Sequence, residues 1–276
     1  MVLLGDVMAT VSAAYPPALA EDWDTGIGLT CGDPAAQVTG VLLAVDADET
    51  TVAEAIDLGA SLLLTHHPLL FRPVQTVAAD TAKGALIHRL IEAGVGHFAA
   101  HTNADKAVGG VNDSLAAALG LTDLRPLVTA DASEFGGAGS GRIGELAEPL
   151  SLRTFCAWVA DRLPATVIGV RAAGDPGRIL STVAVCGGAG DSFLPAAAAA
   201  GVDGYLTSDL RHHVVAEFVA NPVNPAVIEV AHWAGEWPWL PAAAALIRTA
   251  HPGLAVTVST RRTDPWSLRS PSSGQL

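Results

Sequence analysis

The feature that most constrains this chain is a short apolar run that ends in two adjacent histidines. The sequence reads Leu62-Leu63-Leu64-Thr65, and His66, His67 and Pro68 come next. Such a run favours a buried β-strand, and the proline ends it because its ring fixes φ and removes a backbone donor. Adjacent side chains point to opposite faces within a strand, but both can approach one point where the backbone turns. The pair therefore either ligates a metal or hydrogen bonds with the backbone at the start of a loop.

Two further predicted strands end in side chains that metals accept as ligands. The strand at 97–100 is followed by His101 and Asp105, and the strand at 227–230 is followed by His232 and Glu236. Ligands bind at the carboxyl ends of parallel strands in open α/β sheets, so we expect the three strand ends to meet at one edge. The four-residue spacing within each pair lets both side chains face one way if the chain turns helically there.

The predicted ligand set consists of imidazole and carboxylate groups. Its five or six members are enough for two cations that share a carboxylate. Zinc, iron, manganese, cobalt and nickel all accept such ligands, so the residues do not select a metal. The HExxH motif of zinc proteases and the GxxxxGK[ST] phosphate loop do not occur in the sequence. The pattern singles out no catalytic acid or base.

The order of the predicted elements indicates an α/β fold built from two related halves. A strand at Val41–Val45, a helix capped by Thr51-x-x-Glu54 and the strand that ends at His67 form a βαβ unit. The same order returns at 183–209. The Gly-rich segment 187–190 within this repeat either cradles an anion at a helix N-terminus or forms a tight turn.

Three polar residues come after the last strand of the repeat. Asp209, His212 and His213 take the place that the histidine pair holds in the first half. They either line a cleft between the halves or cap a helix.

The glycine-rich stretch 126–150 is the best candidate for a domain boundary or a mobile loop. We expect 1–125 and 227–276 to form a metal-binding half and 126–226 to form a second, inserted half. The tail from about Ser267 is rich in Ser, Pro and Gly, and it is predicted to be disordered.

Charge and composition exclude several classes of protein. The net charge is −13, and the 15 Lys and Arg residues do not cluster, which opposes non-specific binding to nucleic acid. No apolar run approaches the roughly 18 residues of a membrane span. The N-terminus contains Asp6 and no positive charge, so we expect a helix there and not a signal peptide. Cys31, Cys156 and Cys186 lack CxxC spacing, which excludes a thiolate zinc site and predicts buried thiols in a soluble, cytoplasmic protein.

The sequence resembles the NIF3-like family, also named GTP cyclohydrolase 1 type 2 homologs. The matching segments occur in the family's order along nearly the whole chain: Ala20–Asp24, Thr65–Phe71, His101–Asp105, Gly109–Asp113, Gly141–Gly144, Val185–Gly188 and His232-x-x-x-Glu236. The chain departs from the family's Asp-Asn-x-Gly-Leu at Asp24–Leu29 and from its Thr-Gly-Asp at Thr207–Asp209. The long inserted domain of some members is missing. The two departures bear on the substrate and not on the metals.

The resemblance implies an α/β fold with two related halves, a dinuclear metal site in the cleft between them, and a ring-shaped homohexamer. The implied metal ligands are His66, His67, Asp105, His232 and Glu236. Glu236 would bridge the two divalent cations, and His101 would orient a ligand.

The family name implies a metal-dependent hydrolase that acts on a purine nucleotide such as GTP, or on a related phosphorylated substrate. Arg72, Lys106 or Arg211 would offset the charge of such an anion. The alternative is a protein that binds metal without turnover, as a reservoir, chaperone or interaction scaffold.

Overall fold

Strands and helices alternate along the described part of the chain, residues 1–130 and 135–270 of this computed structural model. The strands are β1 (Gly28–Cys31), β2 (Gly40–Ala44), β3 (Leu62–Thr65), β4 (Gly96–Ala99), β5 (Thr122–Thr129), β6 (Gly139–Ser151), β7 (Arg171–Ala173), β8 (Ile179–Ala189), β9 (Gly204–Ser208), β10 (Ala226–Glu229) and β11 (Ala255–Val258). The helices are α1 (Leu4–Ala14), α2 (Glu49–Asp57), α3 (Ala82–Glu92), α4 (Thr102–Lys106), α5 (Val111–Ala118), α6 (Leu152–Arg162), α7 (Leu194–Ala199), α8 (His212–Val219), α9 (His232–Glu236) and α10 (Trp239–Ala250). Within the described residues, no helix combines the length and apolar character that crossing a membrane requires.

The chain divides into two compact units, and the first carries a five-stranded sheet. This unit comprises Met1–Ser114, Val128–Gly141 and Glu236–Thr263. The strand order is β1-β4-β3-β2-β11, with β1 antiparallel to β4 and the other neighbours parallel. Every residue of β2, β3 and β4 is buried, as expected for parallel strands flanked by helices.

The register of this sheet brings three strand ends level with one another. The last paired residues lie side by side: Ala44, Thr65 and Ala99. The residues two positions later are Asp46, His67 and His101. These three side chains therefore start from the same edge of the sheet, the carboxyl edge predicted for the site.

Helix α2 packs with α3 on this sheet, and its N-cap differs from the prediction. The shared core includes Leu42, Leu63 and Leu90. Asp48 is the N-cap because its carboxylate accepts hydrogen bonds from the backbone N–H groups of Thr50 and Thr51. The predicted cap, Thr51, is wrong: it lies one turn inside the helix, where its hydroxyl completes the capping box with the Asp48 backbone N–H.

The second unit carries a six-stranded sheet. It comprises Leu115–Leu127, Arg142–Gly235 and Asp264–Leu276, of which 271–276 lie outside the described residues. The strand order is β5-β6-β8-β9-β10-β7, and β8, β9 and β10 are parallel. Each unit thus contains a parallel βαβ element, β2-α2-β3 and β8-α7-β9, which confirms the predicted α/β class.

The region from 126 to 150, predicted to be a domain boundary or a mobile loop, contains strands, and boundaries between the two compact units fall within it at 127/128 and 141/142. Strand β5 ends at Thr129 and β6 begins at Gly139, while 131–134 lie outside the described residues. Strand β5 lies at the edge of its sheet and is mostly exposed, so it needs few large apolar residues.

Two other boundaries differ from those that the sequence pattern predicts, a strand around 167–170 and a helix over 8–21. In the described residues the strand begins at Arg171, after Gly169 with its positive φ of 63°. Helix α1 begins at Leu4 and ends before Pro16. The predicted disordered tail falls mainly on 271–276, outside the described residues; 267–270 form neither helix nor strand.

The three cysteines are all free thiols. Cys186 is buried as predicted, whereas Cys31 and Cys156 are half-buried. Burial raises the pKa of both half-buried thiols, which keeps them protonated near neutral pH.

Candidate metal centre

Four histidines at strand ends share one arrangement: the Nδ1 atom of each lies within hydrogen-bond distance of an oxygen acceptor. The pairs are His66 with the Ala100 carbonyl at 2.9 Å, His67 with Asp46 at 2.7 Å, His101 with Asp24 at 2.9 Å, and His232 with Asp209 at 2.6 Å. A hydrogen bond from Nδ1 fixes the tautomer and presents the Nε2 lone pair to a metal. Metal-bound histidines in proteins are held in this way.

His66 is the most deeply placed of these histidines. Its ring is fully buried, and its Nε2 atom has no hydrogen-bond partner within the described residues. The nearest carboxylate oxygens are Glu236 Oε1 at 3.4 Å and Asp105 Oδ1 at 3.6 Å. Two ligand atoms that each lie 2.0–2.2 Å from one ion at a tetrahedral angle are about 3.4 Å apart. Each of these two distances therefore fits a pair of ligands on one cation.

The Glu236 carboxylate faces two histidines with its two oxygens. Oε1 lies 3.4 Å from His66 Nε2, and Oε2 lies 3.0 Å from His67 Nε2. The Glu236 side chain is almost fully buried. A carboxylate in this position can bind two cations at once.

Electrostatics in the first unit favour a bound cation. Burial alone would lower the pKa of His67, but the charge of Glu236 and hydrogen bonds with Asp46 and Glu236 raise that pKa to about 10. Burial would also raise the pKa of Asp24, yet hydrogen bonds from His101 and Thr102 lower it. The carboxylates of Asp46, Asp105 and Glu236 surround the imidazoles, and a divalent cation would offset their charge.

His101 lies close to the two adjacent histidines, His66 and His67. One ring nitrogen of each of His66, His67 and His101 lies within 4.8 Å of the others. The family resemblance implies that His101 orients a ligand. Its position beside two ring nitrogens also allows it to ligate a metal or accept a proton.

The segment after β4 is held rigidly. The Asn103 side chain accepts a hydrogen bond from the His101 backbone N–H and donates one to the Tyr15 carbonyl. Asn112 donates to the Asp105 carbonyl. The predicted helical turn from His101 to Asp105 is present as α4, capped by His101.

The second four-residue pair lies on one short helix. Helix α9 begins at His232 and ends at Glu236, one turn later. His232 belongs to the second unit and Glu236 to the first. In the second unit Asp209, with φ of 56°, holds His232 and does not cap α8, whose N-cap is Arg211. His212 and His213 are the exposed first residues of α8.

The Gly-rich segment in the second unit is part of a strand. Gly187 and Gly188 lie within β8, and Gly190 precedes a short 3-10 turn. A Cβ on Gly190 would collide with the side-chain oxygens of Tyr205 and Thr207. Close packing therefore explains this glycine, in line with the tight-turn alternative.

Two of the three basic side chains expected to offset a substrate's charge pair with carboxylates. Lys106 pairs with Glu21 at 2.7 Å, and Arg211 pairs with Asp191 at 2.6 Å in the second unit. Arg72 is exposed. A pocket of about 570 Å³ borders His67 in the first unit, and its lining includes Lys83 and Arg89.

Sequence reasoning assigned no role to Asp24 or Asp46. Asp46 could have been found from sheet register, because it lies two positions after β2, just as His67 lies two positions after β3. Asp24 lies 77 positions before His101 in the sequence. The only sequence signal for Asp24 was its place in the family-matching segment Glu-Asp-Trp-Asp.

Comparison with known proteins decides the family. The Duf34/NIF3 (NGG1p interacting factor 3) family model matches residues 2–265. The chain belongs to the NIF3 family. A Streptomyces coelicolor relative named "GTP cyclohydrolase 1 type 2 homolog" is 48% identical over 269 residues, covering 96% of this chain and 93% of that protein. A Mycobacterium tuberculosis relative of the same name is 39% identical over 373 aligned positions, covering 97% of each chain.

A solved structure agrees with the assignment of this NIF3-family chain. The Bacillus cereus protein related to NIF3 superposes with a TM-score of 0.88 at 24% identity, covering 97% of this chain and 99% of that one. This likeness establishes the fold. The Mycobacterium tuberculosis alignment is longer than the 276 residues of this chain, so that relative carries residues that this chain lacks.

Proposed function

We propose that this NIF3-family chain is a hydrolase with two divalent cations at its centre. The observation that carries the proposal is Glu236, whose two oxygens face two differently anchored histidines. His66, Asp105 and Glu236 would hold one cation, and His67, His232 and Glu236 the other. His232 is included because it lies one helical turn from Glu236 and Asp209 holds its Nδ1 atom. Such a pair of ions lowers the pKa of a bound water toward neutrality.

The protein's own groups would hold the ligands in place and move the proton. Asp46 and the Ala100 carbonyl fix the ring orientations of His67 and His66. We assign His101 as the group that takes the proton from the attacking water. Asp24 orients its ring and would stabilise the imidazolium that forms.

The proposed substrate is a purine nucleotide such as GTP, or a related phosphorylated compound. The name that the relatives carry supports this choice. One water would add to the ring carbon between two nitrogens and open the ring to a formamide, and a second water would break the remaining C–N bond and release that carbon as formate. Lys83 in the pocket beside His67 would attract the phosphates, whereas Arg89 lies 3.9 Å from Glu49 on the same lining and its charge is already offset.

Two further statements stay predictions. One is a cytoplasmic homohexamer. The other is a division into a first half of residues 1–125 and 227–276 and a second half of residues 126–226.

The test is formate release from GTP by the purified protein. We expect activity that disappears after chelation and returns when a divalent cation is added back. His101→Ala should abolish turnover and keep the metal if His101 accepts the proton, and it should lose metal if His101 is a ligand. Turnover by metal-free protein would refute the proposal. Tight metal binding without turnover of nucleotide and ester substrates would favour the non-catalytic alternative.

A further inference from the structure

Two large aromatic side chains are exposed beside the candidate metal centre. Trp23 is 59% exposed and Phe71 is 43% exposed. Their ring centroids are 6.0 Å apart, and the ring planes meet at 69°. Both rings contact His101, at centroid distances of 6.1 Å for Trp23 and 5.7 Å for Phe71. His101 in turn lies 5.2 Å from His66 and 5.6 Å from His67.

The segment that carries Trp23 is firmly anchored. The buried Asp24 carboxylate accepts hydrogen bonds from the backbone N–H and the hydroxyl of Thr102. The Glu21 backbone N–H donates to the Thr102 hydroxyl, and the Glu21 carboxylate pairs with Lys106. The exposure of Trp23 is therefore not a consequence of a loose loop.

The segment that carries Phe71 packs tightly against the same region. A Cβ on Gly26 would lie 2.8 Å from Pro68 Cβ and 3.0 Å from the Leu70 carbonyl oxygen. Only a glycine permits this approach, so the two aromatic side chains project from segments in direct contact. Such preorganisation lowers the entropic cost of binding a ligand.

We infer that Trp23 and Phe71 form a corner that binds a planar heteroaromatic ring next to the metal centre. The two ring planes are nearly perpendicular, so a ligand ring can stack on one and meet the edge of the other, the two arrangements that aromatic quadrupoles favour. Two side chains are too small a patch for a stable protein interface, which buries about 800 Å² per partner. The inference extends the proposed function, because the ring held here would be the purine of its substrate.

The test measures dissociation constants of metal-loaded protein for guanosine, GTP and inorganic tripolyphosphate. Trp23→Ala and Phe71→Ala should each weaken guanosine and GTP binding, with a loss for Trp23→Ala of about 10- to 100-fold. Trp23→Phe should bind about as tightly as the wild type, since a ring remains. Trp266→Ala removes a similarly exposed tryptophan, 62% exposed, and serves as the matched control. Tripolyphosphate affinity and metal content should stay unchanged throughout.

Several outcomes would overturn the inference. One is a wild type that does not bind guanosine; another is a Trp23→Ala variant that binds it as tightly as wild type. A third is a change in oligomeric mass with ring affinity unchanged, which would assign the corner to a second copy of the chain. Loss of ring binding in Trp23→Ala without formate release by the wild type would support the corner and refute the hydrolase. Formate release by the wild type, together with unchanged ring affinity in Trp23→Ala, would support the hydrolase and refute the corner.

Discussion

The two βαβ elements of this chain share a backbone plan and differ in the residues that come after their second strands. In the first unit, β3 continues into His66 and His67, whose Nδ1 atoms are held by a carbonyl and a carboxylate. In the second unit, β9 ends in the buried Ser208 and continues into Asp209. The Thr207 hydroxyl in β9 donates to the Gly188 carbonyl and so serves packing. The fold supplies an edge where side chains meet, and the residue types there decide whether the edge can bind a metal.

The two units also differ in which groups balance the charge of a glutamate. Glu236 in the first unit faces the imidazoles of His66 and His67, and a divalent cation there would offset its charge. Glu229 at the end of β10 has its own partner, Arg171, at 2.5 Å, and its other oxygen accepts the Leu210 backbone N–H. Glu229 is thus held by an arginine and a backbone N–H, whereas Glu236 is held against two imidazoles that can share a cation with it.

The largest effect that this comparison predicts is on metal binding by Glu236→Gln. The amide lacks the charge that would bridge two cations, so we expect metal affinity to fall by more than about 100-fold, beyond the 10- to 100-fold typical of outer-shell changes. Glu229→Gln, the matched change in the second unit, should retain full metal content. Elemental analysis of both variants checks this. Equal metal content in the two would remove the distinction between the units.

The second prediction concerns His97, a buried histidine in the interior of β4. Burial lowers its pKa to about 4, and its Nε2 atom lies 2.9 Å from the Thr65 hydroxyl. The unfolded chain takes up this proton below pH 6.5 while the folded chain does not, so stability is full above pH 6.5 and falls toward pH 4. The described strands of the second sheet contain no histidine.

His97→Gln isolates this contribution. Between pH 7 and pH 4, wild type should lose about 3 kcal/mol more unfolding free energy than the variant, which has no imidazole to protonate. Urea denaturation at both pH values measures the difference. Equal losses in the two proteins would show that His97 takes up a proton in the folded state.

The third prediction compares the two aspartates that hold histidines. Asp46→Ala removes the partner of His67, and Asp209→Ala removes the partner of His232. If both histidines are ligands, each change should weaken metal binding by about 10- to 100-fold, as measured by competition with a chelating dye. A loss in Asp46→Ala alone would confine the metal centre to the first unit.

The smallest effect concerns the helices of the two βαβ elements. Helix α2 has a side-chain N-cap, Asp48, whereas α7 begins without one. Asp48→Ala should therefore lower the unfolding free energy by about 1 kcal/mol, and Ser192→Ala, two residues before α7, by less than about 0.5 kcal/mol. Thermal or urea unfolding of the wild type and of both variants measures these two losses of unfolding free energy. Equal losses would mean that Asp48 does not act as a cap.

Much of the fold was predictable from local sequence signals. Leu62–Thr65 was predicted as a strand because a run of apolar residues suits a parallel sheet, and the helix expected at the N-terminus is α1. The strands between 126 and 150 were missed because β5 is an exposed edge strand and β6 begins with three glycines in its first six residues, so neither carries a clear apolar pattern. Pairing, and not composition, makes those residues extended.

The site was predictable where ligands lie directly after strands and less so where support comes from afar. Register brings Asp46 beside His67, but only knowledge of strand order reveals that neighbour. Asp24 and the exposed corner of Trp23 and Phe71 depend on loop packing at Gly26, which no periodicity encodes. Long-range contacts of loops were the limit of sequence reasoning here.

The most direct test of the central claim is the metal stoichiometry of the wild-type protein. After saturation with a divalent cation such as Zn²⁺ or Mn²⁺ and removal of the excess, elemental analysis should find two tightly bound ions per chain. Protein that retains no metal would contradict the account, and a single ion per chain would contradict the bridging role of Glu236.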